Sequence, residues 1–447
     1  MEKTDIAIIG ASAAGLSAAL TLKRKAPEKK VVLFRKVEKT PVPCGIPYIY
    51  GTLKDVNKNI IPDEHFKEMG FNIIVAEVKD IDVENKIIKY NGKEIGYEKL
   101  LIATGSYPFI PPIEGINLKN VFAIQKNPPD LQVIEETLKN AENIVIIGGG
   151  FIGVEMAEQI AKLKGDKINI TIIEMLPHIL MAALEKEFCI KAENELRKMG
   201  VNILTNSTVT KLEGKEKVEK VILKDDKWIK ADMVIIGVGA APNIELAEKM
   251  GIKCDKRRGI LINEFMETSI KDIYAAGDCT AKFSFITGKP TGIRLASVAA
   301  YEGIVAANNI LGKRVKNKGA VGAFSTKIGN IAIGSAGFTK EMCEREGIDY
   351  ITGEFVGPDK HPASLPDTFK EMKAILIFRK DNKKIIGGHI LGGNTTGEMI
   401  NIVSTAIQAG LTAEDLYFMQ VATHPLLTGS PIAYHIQRAA GDAYYKF

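Results

Sequence analysis

The sequence is poor in cysteine. Five cysteines occur among 447 residues at wide spacing, and there is no CxxC pair. A disulfide framework and a zinc site built on cysteine pairs are therefore not indicated, and we expect no bound metal. So few scattered thiols fit a reducing compartment, which predicts a cytoplasmic protein. The cysteines are Cys44, Cys189, Cys254, Cys279 and Cys343.

Excess charge and long hydrophobic runs are also scarce. The chain has 59 basic and 54 acidic residues, a formal net charge of +5, and no basic block interleaved with aromatic side chains. Nucleic-acid binding is therefore not predicted. No apolar run reaches the ~20 residues of a membrane-spanning helix, and the first residues show no signal-peptide pattern, so we expect no membrane partner. The composition is that of an ordinary globular protein, and the length predicts two to four domains.

The N-terminal region carries a glycine pattern between a predicted strand and a predicted helix. Residues 5–10 form a short apolar run, and the following segment has helical periodicity. The pattern is Gly10-x-Ser12-x-x-Gly15. Its first glycine permits a tight turn, its last permits close packing of helix on strand, and the helix N-terminus can receive a pyrophosphate. Ser12 stands where a second glycine is usual, but it is small enough for a phosphate to approach the backbone.

The next predicted strand, residues 31–34, ends in an unexpected residue. An Asp or Glu that binds a ribose hydroxyl is typical at this point. This chain has Arg35 there, and Glu38 is a nearby alternative acceptor.

A complete dinucleotide-binding pattern follows the strand that starts at Asn143. It reads Gly148-x-Gly150-x-x-Gly153 and opens a helix. Each glycine pattern alone could be no more than a tight strand–helix turn. Two of them in βαβ context predict two bound dinucleotides, or one dinucleotide and a flavin.

The strand after the second pattern, residues 168–173, ends at Glu174. A carboxylate in this place accepts a hydrogen bond from a ribose 2′-hydroxyl and repels a 2′-phosphate. We therefore expect NADH to be preferred, with NADPH as the alternative.

Two further buried runs end in small and polar residues. Residues 97–106 read YEKLLIATGS, and residues 272–280 read DIYAAGDCT. Cofactor contacts gather at such strand ends in α/β sheets. Asp278 is suited to accept a hydrogen bond from a polyol hydroxyl, or to cap a helix.

One thiol lies in a stiff segment, residues 40–51, which reads TPVPCGIPYIYG. Pro41, Pro43 and Pro47 restrict the backbone around Cys44. The run can open a helix, and a thiol at a helix N-terminus favours the reactive thiolate. The alternative is that Cys44 is a small buried hydrophobic residue.

The pattern of the sequence changes near Gly319. Glycine patterns stop, and four strand-like stretches precede two amphipathic helices, which predicts a separate α+β domain. The run Thr423-His424-Pro425 lies near its end.

Together these motifs resemble the FAD-dependent pyridine nucleotide–disulfide oxidoreductases over essentially the whole chain. The resemblance carried by GASAAG, LLIATGS, IYAAGDC and GGGFIGVEMAE implies an α/β protein with two Rossmann-like domains and a C-terminal α+β dimerisation domain. It implies a split FAD-binding domain of residues 1–118 and 248–318. It further implies an NAD(P)-binding domain of residues 119–247 and a dimerisation domain of residues 319–447.

The lone Cys44, in the pattern CGxPY, is similar to the single-cysteine branch of this family. That resemblance implies an enzyme that passes electrons from NADH through FAD and Cys44 to a small acceptor. Our first expectation is an NADH oxidase that acts on oxygen or peroxide. The alternative is a reductase of coenzyme A disulfide, persulfide or polysulfide, with coenzyme A as a ligand. A redox carrier or interaction protein of the apoptosis-inducing-factor type is more distant, because such proteins generally lack this thiol.

The resemblance also implies roles for individual residues. His424 is similar to a histidine that serves the thiol of the partner subunit in two-cysteine members, which implies a homodimer with a shared active site; a structural histidine is the alternative. Glu155 falls where the family places a residue near the nicotinamide; a glutamate on the helix surface is the alternative. Residues 361–366 lack the tyrosines found near the thiol in coenzyme A disulfide reductases. The expected FAD contacts are Gly10, Ser12, Gly15, Arg35, Pro43, Ala103, Thr104, Gly105, Gly277, Asp278 and Ala296. The expected NAD contacts are Gly148, Gly150, Phe151, Ile152, Gly153, Glu155, Glu174 and Gly239.

Overall fold

The computed structural model describes residues 2–165 and 168–447. Its first elements are β1 (Glu2–Ile9), α1 (Ala13–Lys25), β2 (Val31–Arg35), α2 (Asp63–Glu68), β3 (Asn72–Val75), β4 (Asp80–Asp82), β5 (Ile87–Tyr90), β6 (Lys93–Ile102), β7 (Ser106–Pro108), β8 (Val121–Ala123) and α3 (Pro128–Asn140). Three short turns of other helix types lie between β2 and α2, namely 3-10 turns at Pro43–Gly45 and Val56–Asn59 and a π-helical turn at Ile49–Leu53.

The middle of the chain begins with alternating strands and helices and continues with a run of strands. Its elements are β9 (Asn143–Ile147), α4 (Phe151–Lys164), β10 (Asn169–Ile173), α5 (Lys186–Lys198), β11 (Val201–Leu204), β12 (Val209–Glu213), β13 (Lys220–Leu223), β14 (Trp228–Lys230) and β15 (Met233–Ile236). Then follow β16 (Ala240–Pro242), α6 (Glu245–Lys249), β17 (Cys254–Asp255), β18 (Gly259–Ile260), β19 (Ile273–Ala275), β20 (Lys282–Phe283), β21 (Pro290–Thr291) and α7 (Ala296–Ile310).

The C-terminal region has five strands, with one helix between the second and third strands and three helices after the last strand. They are β22 (Ala323–Ile328), β23 (Ile331–Gly337), α8 (Lys340–Glu346), β24 (Tyr350–Gly357), β25 (Met372–Arg379), β26 (Ile385–Gly392), α9 (Thr396–Ala409), α10 (Ala413–Tyr417) and α11 (His435–Tyr444). Across the described residues, no helix combines the length and the apolar character needed to cross a bilayer.

The chain forms two compact units. The first contains residues 1–110, 123–139 and 239–320, and the second contains residues 111–122, 140–238 and 321–447. The three-domain division stays a prediction.

The first unit is built on one sheet with the order β3-β2-β1-β6-β5-β4 and with β19 beside β6. The pairs β1–β2, β1–β6, β2–β3 and β6–β19 are parallel. Ile6 and Ile8 of β1 face one apolar core, which α1 and α7 help to form, whereas Ala7 and Ile9 face a second core on the other side. A sheet buried on both faces explains why β1 reads as a continuous apolar run.

The second unit contains the second predicted βαβ segment and the C-terminal strands. Its parallel strands belong to a sheet of order β11-β10-β9-β15-β8, and β12-β13-β14 form an antiparallel meander. The C-terminal sheet is antiparallel, of order β22-β23-β26-β25-β24. The predicted fold class is therefore confirmed in both its α/β and its α+β parts.

Candidate active site

The first glycine turn joins β1 to α1 and needs glycine at two positions. Gly10 has a φ of +115°, and a Cβ there would lie 2.1 Å from the carbonyl oxygen of Ala103. A Cβ on Gly15 would lie 1.8 Å from the carbonyl oxygen of Gly10. Ser12 is the N-cap residue of α1, but its side chain makes no capping hydrogen bond. The first amides of α1 are thus left without a side-chain cap, which suits a phosphate group.

Two parallel strands, β6 and β19, bring the predicted flavin residues of the LLIATGS and IYAAGDC motifs to the same end of the sheet. After β6, the Thr104 hydroxyl donates to the carbonyl oxygen of Asn243 at 2.8 Å. Gly105 follows with a φ of +72°, and a Cβ there would meet no atom within 4 Å. After β19, Gly277 has a φ of +85° and precedes Asp278. The structure therefore brings the two motifs together, with open space beside one of them.

Asp278 has one carboxylate oxygen in use and one that lacks a partner. Its Oδ2 accepts a hydrogen bond from the Ser106 hydroxyl at 2.9 Å and lies 3.7 Å from the ammonium of Lys126. Its Oδ1 is buried and has no hydrogen-bond partner within the described part of the chain. Buried polar atoms are normally hydrogen-bonded. This orphaned acceptor fits a flavin cofactor, whose ribityl hydroxyls are donors of the right kind.

Arg35 is engaged by a carboxylate. Its guanidinium donates two hydrogen bonds to Asp63, one of them at 2.6 Å, and another to the backbone carbonyl of Glu38. The side chain is only 7% exposed. The hydrogen bond from Arg35 holds the pKa of Asp63 below its usual value. Asp63 therefore balances the charge of Arg35, and ribose recognition at this strand end stays a prediction.

Cys44 is the middle residue of the 3-10 turn Pro43–Gly45 and is solvent-exposed. The predicted helix start is thus a single 3-10 turn with a proline in its first positions, and no α-helix follows it directly. The chain continues through a short π-helical turn, and Pro47, which has no backbone N–H, interrupts the hydrogen bonds between the two turns. The turn is fixed by Asn59 instead, since the Asn59 side-chain amide donates to the carbonyl oxygen of Val42 at 3.0 Å.

The other cysteines lie in less accessible environments. Cys189, Cys279 and Cys343 are buried, and Cys254 is half-buried. Burial raises the pKa of Cys189 and of Cys343 to about 12, and that of Cys254 to about 11. Burial also raises the pKa of Cys279. These four thiols are therefore protonated at neutral pH, and Cys44 differs from them by its exposure.

Ala296 is the first residue of α7, a helix packed beside α1. The N-cap residue Leu295 is extended and provides no side-chain cap. Close packing of the two helices depends on Gly303, because a Cβ there would lie 2.2 Å from the carbonyl oxygen of Ala14. The N-terminus of a second helix in the first unit is thus left without a side-chain cap.

The second glycine turn, between β9 and α4, repeats the geometry of the first. Gly148 has a φ of +104°, and a Cβ there would lie 2.6 Å from the carbonyl oxygen of Gly237. A Cβ on Gly153 would lie 2.0 Å from the carbonyl oxygen of Gly148. Gly150 is the N-cap residue of α4, and a Cβ there would meet no atom within 4 Å. The start of α4 is therefore open to a pyrophosphate.

Glu174 lies at the end of β10 and faces this turn. Its Oε2 accepts a hydrogen bond from the backbone N–H of Gly149 at 2.6 Å, and its Oε1 accepts one from the backbone N–H of Leu176 at 2.8 Å. Each carboxylate oxygen has further acceptor capacity. The carboxylate is therefore held in place at the point where a ribose is expected.

Residues at the start of α4 contact β22 of the same unit. The ring of Phe151 stacks on that of Phe324, with 5.0 Å between centroids and 6° between planes. Ile152 is 40% exposed. The Thr326 hydroxyl donates to Glu155 Oε1 at 3.0 Å, and burial raises the pKa of Glu155 to about 7. Glu155 is therefore a carboxyl group that can hold or release a proton near neutral pH.

His424 and Gly239 complete the predicted set. His424 is exposed, and its Nδ1 accepts a hydrogen bond from the backbone N–H of Leu426 at 3.3 Å. His424 belongs to the second unit, whereas Cys44 belongs to the first. Gly239 belongs to the first unit, unlike the other predicted NAD contacts.

Several polar residues beside these motifs were not predicted from the sequence. Asn59 lies beside the cysteine turn, Thr326 bonds to Glu155, and Lys282 and Glu302 form a buried ion pair next to Gly277. Glu302 had a usable signal, because it is the only charged residue in the helix ASVAAYEGIVAANNI. A lone carboxylate in an apolar helix predicts a buried partner.

The sequence matches two models that describe domains of one protein family. The model of the pyridine nucleotide-disulphide oxidoreductases matches residues 4–303, and the model of the dimerisation domain of that family matches residues 324–432.

Similar proteins cover nearly the whole chain. An NAD(P)H coenzyme A polysulfide/persulfide reductase of Pyrococcus horikoshii is 35% identical over 95% of this chain and 95% of its own length. An NADH oxidase of Methanocaldococcus jannaschii is 34% identical over 98% of each chain. The structure of an NAD-dependent persulfide reductase from A. fulgidus superposes with a TM-score of 0.90 at 31% identity, covering 99% of this chain and 83% of the other. The chain therefore belongs to the pyridine nucleotide-disulphide oxidoreductase family and is an oxidoreductase, and this membership implies FAD and NAD(P)H as its cofactors.

Proposed function

We propose that this enzyme uses NADH to reduce a sulfur–sulfur bond in a small acceptor, and that Cys44 is the thiol that meets the acceptor. The observation that carries the proposal is the exposure of Cys44 in a proline-framed turn, while the other four cysteines are buried or half-buried. A lone thiol has no neighbouring cysteine with which to form an internal disulfide. Its natural partner is therefore a sulfur atom of the substrate.

The relatives support this choice of acceptor. The names of the P. horikoshii and A. fulgidus proteins state persulfide or polysulfide reduction, and the first also states coenzyme A. We infer that a coenzyme A persulfide or disulfide, or a polysulfide, is the acceptor class here. The segment 361–366 has no tyrosine, so any coenzyme A contact made there differs from that of the coenzyme A disulfide reductases.

The residues of this chain have separable tasks in the proposed reaction. The open helix starts at Ser12 and Gly150 hold the pyrophosphates of FAD and NADH, and Asp278 accepts from a ribityl hydroxyl. Glu174 orients the ribose of NADH and disfavours a 2′-phosphate. A flavin held by these residues would supply the hydride-accepting chemistry that passes two electrons from the nicotinamide to sulfur. The Cys44 thiolate would attack the acceptor, forming a mixed disulfide and expelling the second sulfur as a thiolate. The two electrons supplied by the flavin would then cleave the mixed disulfide, which releases the other sulfur as a thiolate and regenerates Cys44.

Oxygen or peroxide is the second candidate acceptor. The observation that favours it is the M. jannaschii NADH oxidase, which matches 98% of this chain. An exposed Cys44 thiol can also be oxidised to a sulfenic acid. The same residues would then serve an oxidase.

We further propose a homodimer in the cytoplasm. The match to the dimerisation-domain model supports the dimer, as do the exposed apolar side chains of Leu427 and Ile432 within that region. In this dimer, His424 of one subunit is the proton donor to the leaving sulfur at Cys44 of the other. Because Cys44 must cycle through a reduced thiol, we place the enzyme in a reducing compartment.

One experiment separates the two acceptors. NADH oxidation by the FAD-loaded protein is measured in air, and again without oxygen in the presence of coenzyme A disulfide or polysulfide. Fast anaerobic turnover that is lost in Cys44→Ser but kept in Cys254→Ser supports the reductase. Fast turnover in air with little anaerobic turnover overturns it in favour of the oxidase. Anaerobic turnover that survives in Cys44→Ser excludes the thiol and favours a carrier type of protein.

A further inference from the structure

A buried ion pair lies directly behind the predicted flavin-binding turn. The ammonium of Lys282 and the carboxylate of Glu302 are 2.8 Å apart, and each side chain is only 2% exposed. Removing two charges from water is costly unless both are paired and hydrogen-bonded. A buried ion pair of this kind therefore has a role other than keeping the protein surface soluble.

The pair holds Gly277 from both sides. The carboxylate of Glu302 accepts the backbone N–H of Gly277 at 2.8 Å, and the ammonium of Lys282 donates to the carbonyl oxygen of Gly277 at 2.5 Å. Gly277 has a φ of +85° and leads into Asp278. The two charged groups thus fix the two peptide planes on either side of Gly277, and the second of these planes sets the starting direction of Asp278.

Thr280 completes the arrangement. Its hydroxyl oxygen accepts from the ammonium of Lys282 at 2.5 Å and lies 3.2 Å from Glu302 Oε2. The ammonium therefore uses its three donors on the Gly277 carbonyl, the Thr280 hydroxyl and Glu302. A network with every donor satisfied is rigid, whereas a half-satisfied network is unstable.

The same ion pair connects the Gly277–Asp278 turn to α1 and α7, two helices that pack on one face of the sheet in the first unit. Glu302 lies on α7 beside Gly303, which packs against the backbone of Ala14 in α1. Gly277 also lies against α1, because a Cβ there would be 2.9 Å from the Cβ of Ala14. The turn that carries Asp278 therefore packs against α1, the helix that begins after the first glycine turn.

We infer that Lys282 and Glu302 are positioning residues that hold the Gly277–Asp278 turn in the geometry required to bind FAD. This inference rests on the flavin site of the proposed function and adds two residues that are not among the predicted FAD contacts. Their effect is exerted through the Gly277 peptides on the orphaned Oδ1 of Asp278.

The test is the dissociation constant of FAD for the full-length apoprotein, measured by the quenching of flavin fluorescence. Lys282→Met leaves the Glu302 carboxylate without its counter-charge, and Glu302→Gln keeps an oxygen for the Gly277 amide but strands the ammonium. We expect each variant to weaken FAD binding at least about tenfold. The double variant removes both charges, so its loss should be smaller than the product of the two single losses.

The matched control is an ion pair at the other end of β19. Lys99 lies 3.0 Å from Asp272, which directly precedes that strand. Lys99→Met should leave the FAD dissociation constant within about twofold of the parent value. The melting temperature of each apoprotein is measured in parallel, because a purely structural role would lower it without changing FAD affinity.

Thr280 keeps the inference testable if the charge variants do not fold. Thr280→Val removes the hydroxyl without stranding a charge, and Thr280→Ser restores it. Weaker FAD binding in the valine variant that is rescued by serine supports the inference. Unchanged FAD affinity in the folded variants, or an equal loss in Lys99→Met, overturns it. If the parent protein binds no FAD at all, the proposed function itself fails, and that outcome is distinguishable from the others.

Discussion

The side-chain amide of Asn59 donates a hydrogen bond to the carbonyl oxygen of Val42 at 3.0 Å, two residues before Cys44. The backbone repeats this contact, because the N–H of Val42 donates to the carbonyl oxygen of Asn59 at 2.8 Å. A Cβ on Gly45 would lie 2.0 Å from Asn59 Oδ1. Asn59 therefore occupies the space behind the thiol turn and fixes its path on both sides of Cys44.

Replacing Asn59 with leucine should reduce the reactivity of Cys44 more than it reduces stability. The change removes one buried hydrogen bond, which contributes about 1 kcal/mol, and frees the carbonyl of Val42. We expect alkylation of Cys44 by iodoacetamide and NADH turnover both to slow severalfold, while FAD stays bound. Asn57→Ala is the matched control, since Asn57 is an exposed residue of the same 3-10 turn. Equal effects in both variants would show that Asn59 has no special role at the thiol.

The raised pKa of Glu155 predicts a pH-dependent stability. Burial raises this pKa from 4.5 to about 7 in the folded protein. The folded state therefore binds more protons than the unfolded state between these values, and the free energy of unfolding falls as pH rises through that window. The total is on the order of 3 kcal/mol. Denaturant unfolding of the parent protein and of Glu155→Gln at pH 5 and pH 8 should show the variant gaining relative stability at pH 8.

Thr326→Val provides the companion measurement for Glu155. The Thr326 hydroxyl donates to the carboxylate and lowers its pKa, so its removal should move the transition to higher pH. A pH dependence that is parallel in the parent and in both variants would assign the raised pKa to another group.

Replacing Glu174 with alanine should change the choice of nucleotide. We propose that the carboxylate at the end of β10 disfavours a 2′-phosphate, so its loss should raise the ratio of kcat/KM for NADPH over NADH at least about tenfold. The efficiency with NADH should also fall, because the Gly149 and Leu176 amides lose their acceptor. Glu142→Gln, just before the start of neighbouring β9, is the control. An unchanged nucleotide ratio in Glu174→Ala would place the selection elsewhere.

A charge on the exposed apolar surface of the C-terminal region should separate the subunits. Ile432 is 84% exposed and Leu427 is 63% exposed. In the proposed homodimer, Ile432→Asp should shift the sedimentation coefficient from dimer to monomer and lower turnover sharply, because the proposed pairing of His424 with Cys44 of the other subunit would be lost. Val133→Asp, at a 54% exposed position in α3, should leave both unchanged. A dimeric, active Ile432→Asp variant would move the interface away from this surface.

The fold was predictable because its signals are local. Glycine spacing between an apolar run and a periodic segment specifies a βαβ unit, and both units formed where Gly10 and Gly148 predicted them. The backbone conformation at Cys44 was not predictable from the sequence. The three neighbouring prolines exclude several backbone conformations but do not select a single one. The partner of Arg35 was also hidden, because Asp63 is brought to it by tertiary packing. The Lys282–Glu302 ion pair was hidden for the same reason, because tertiary packing brings these two residues together.

The position of β19 beside β6 has a consequence for biosynthesis. The ribosome makes β6 early, but its neighbour β19 is completed only at residue 275, after residues 111–122 and 140–238 of the second unit have been made. At roughly 5–20 residues per second, translation leaves the edge of β6 without that partner for about 10 to 30 seconds. Because Thr104 and Asp278 follow these two strands, the nascent protein acquires its predicted flavin site only late in synthesis. A ribosome-bound chain truncated before residue 273 should therefore be unable to retain FAD.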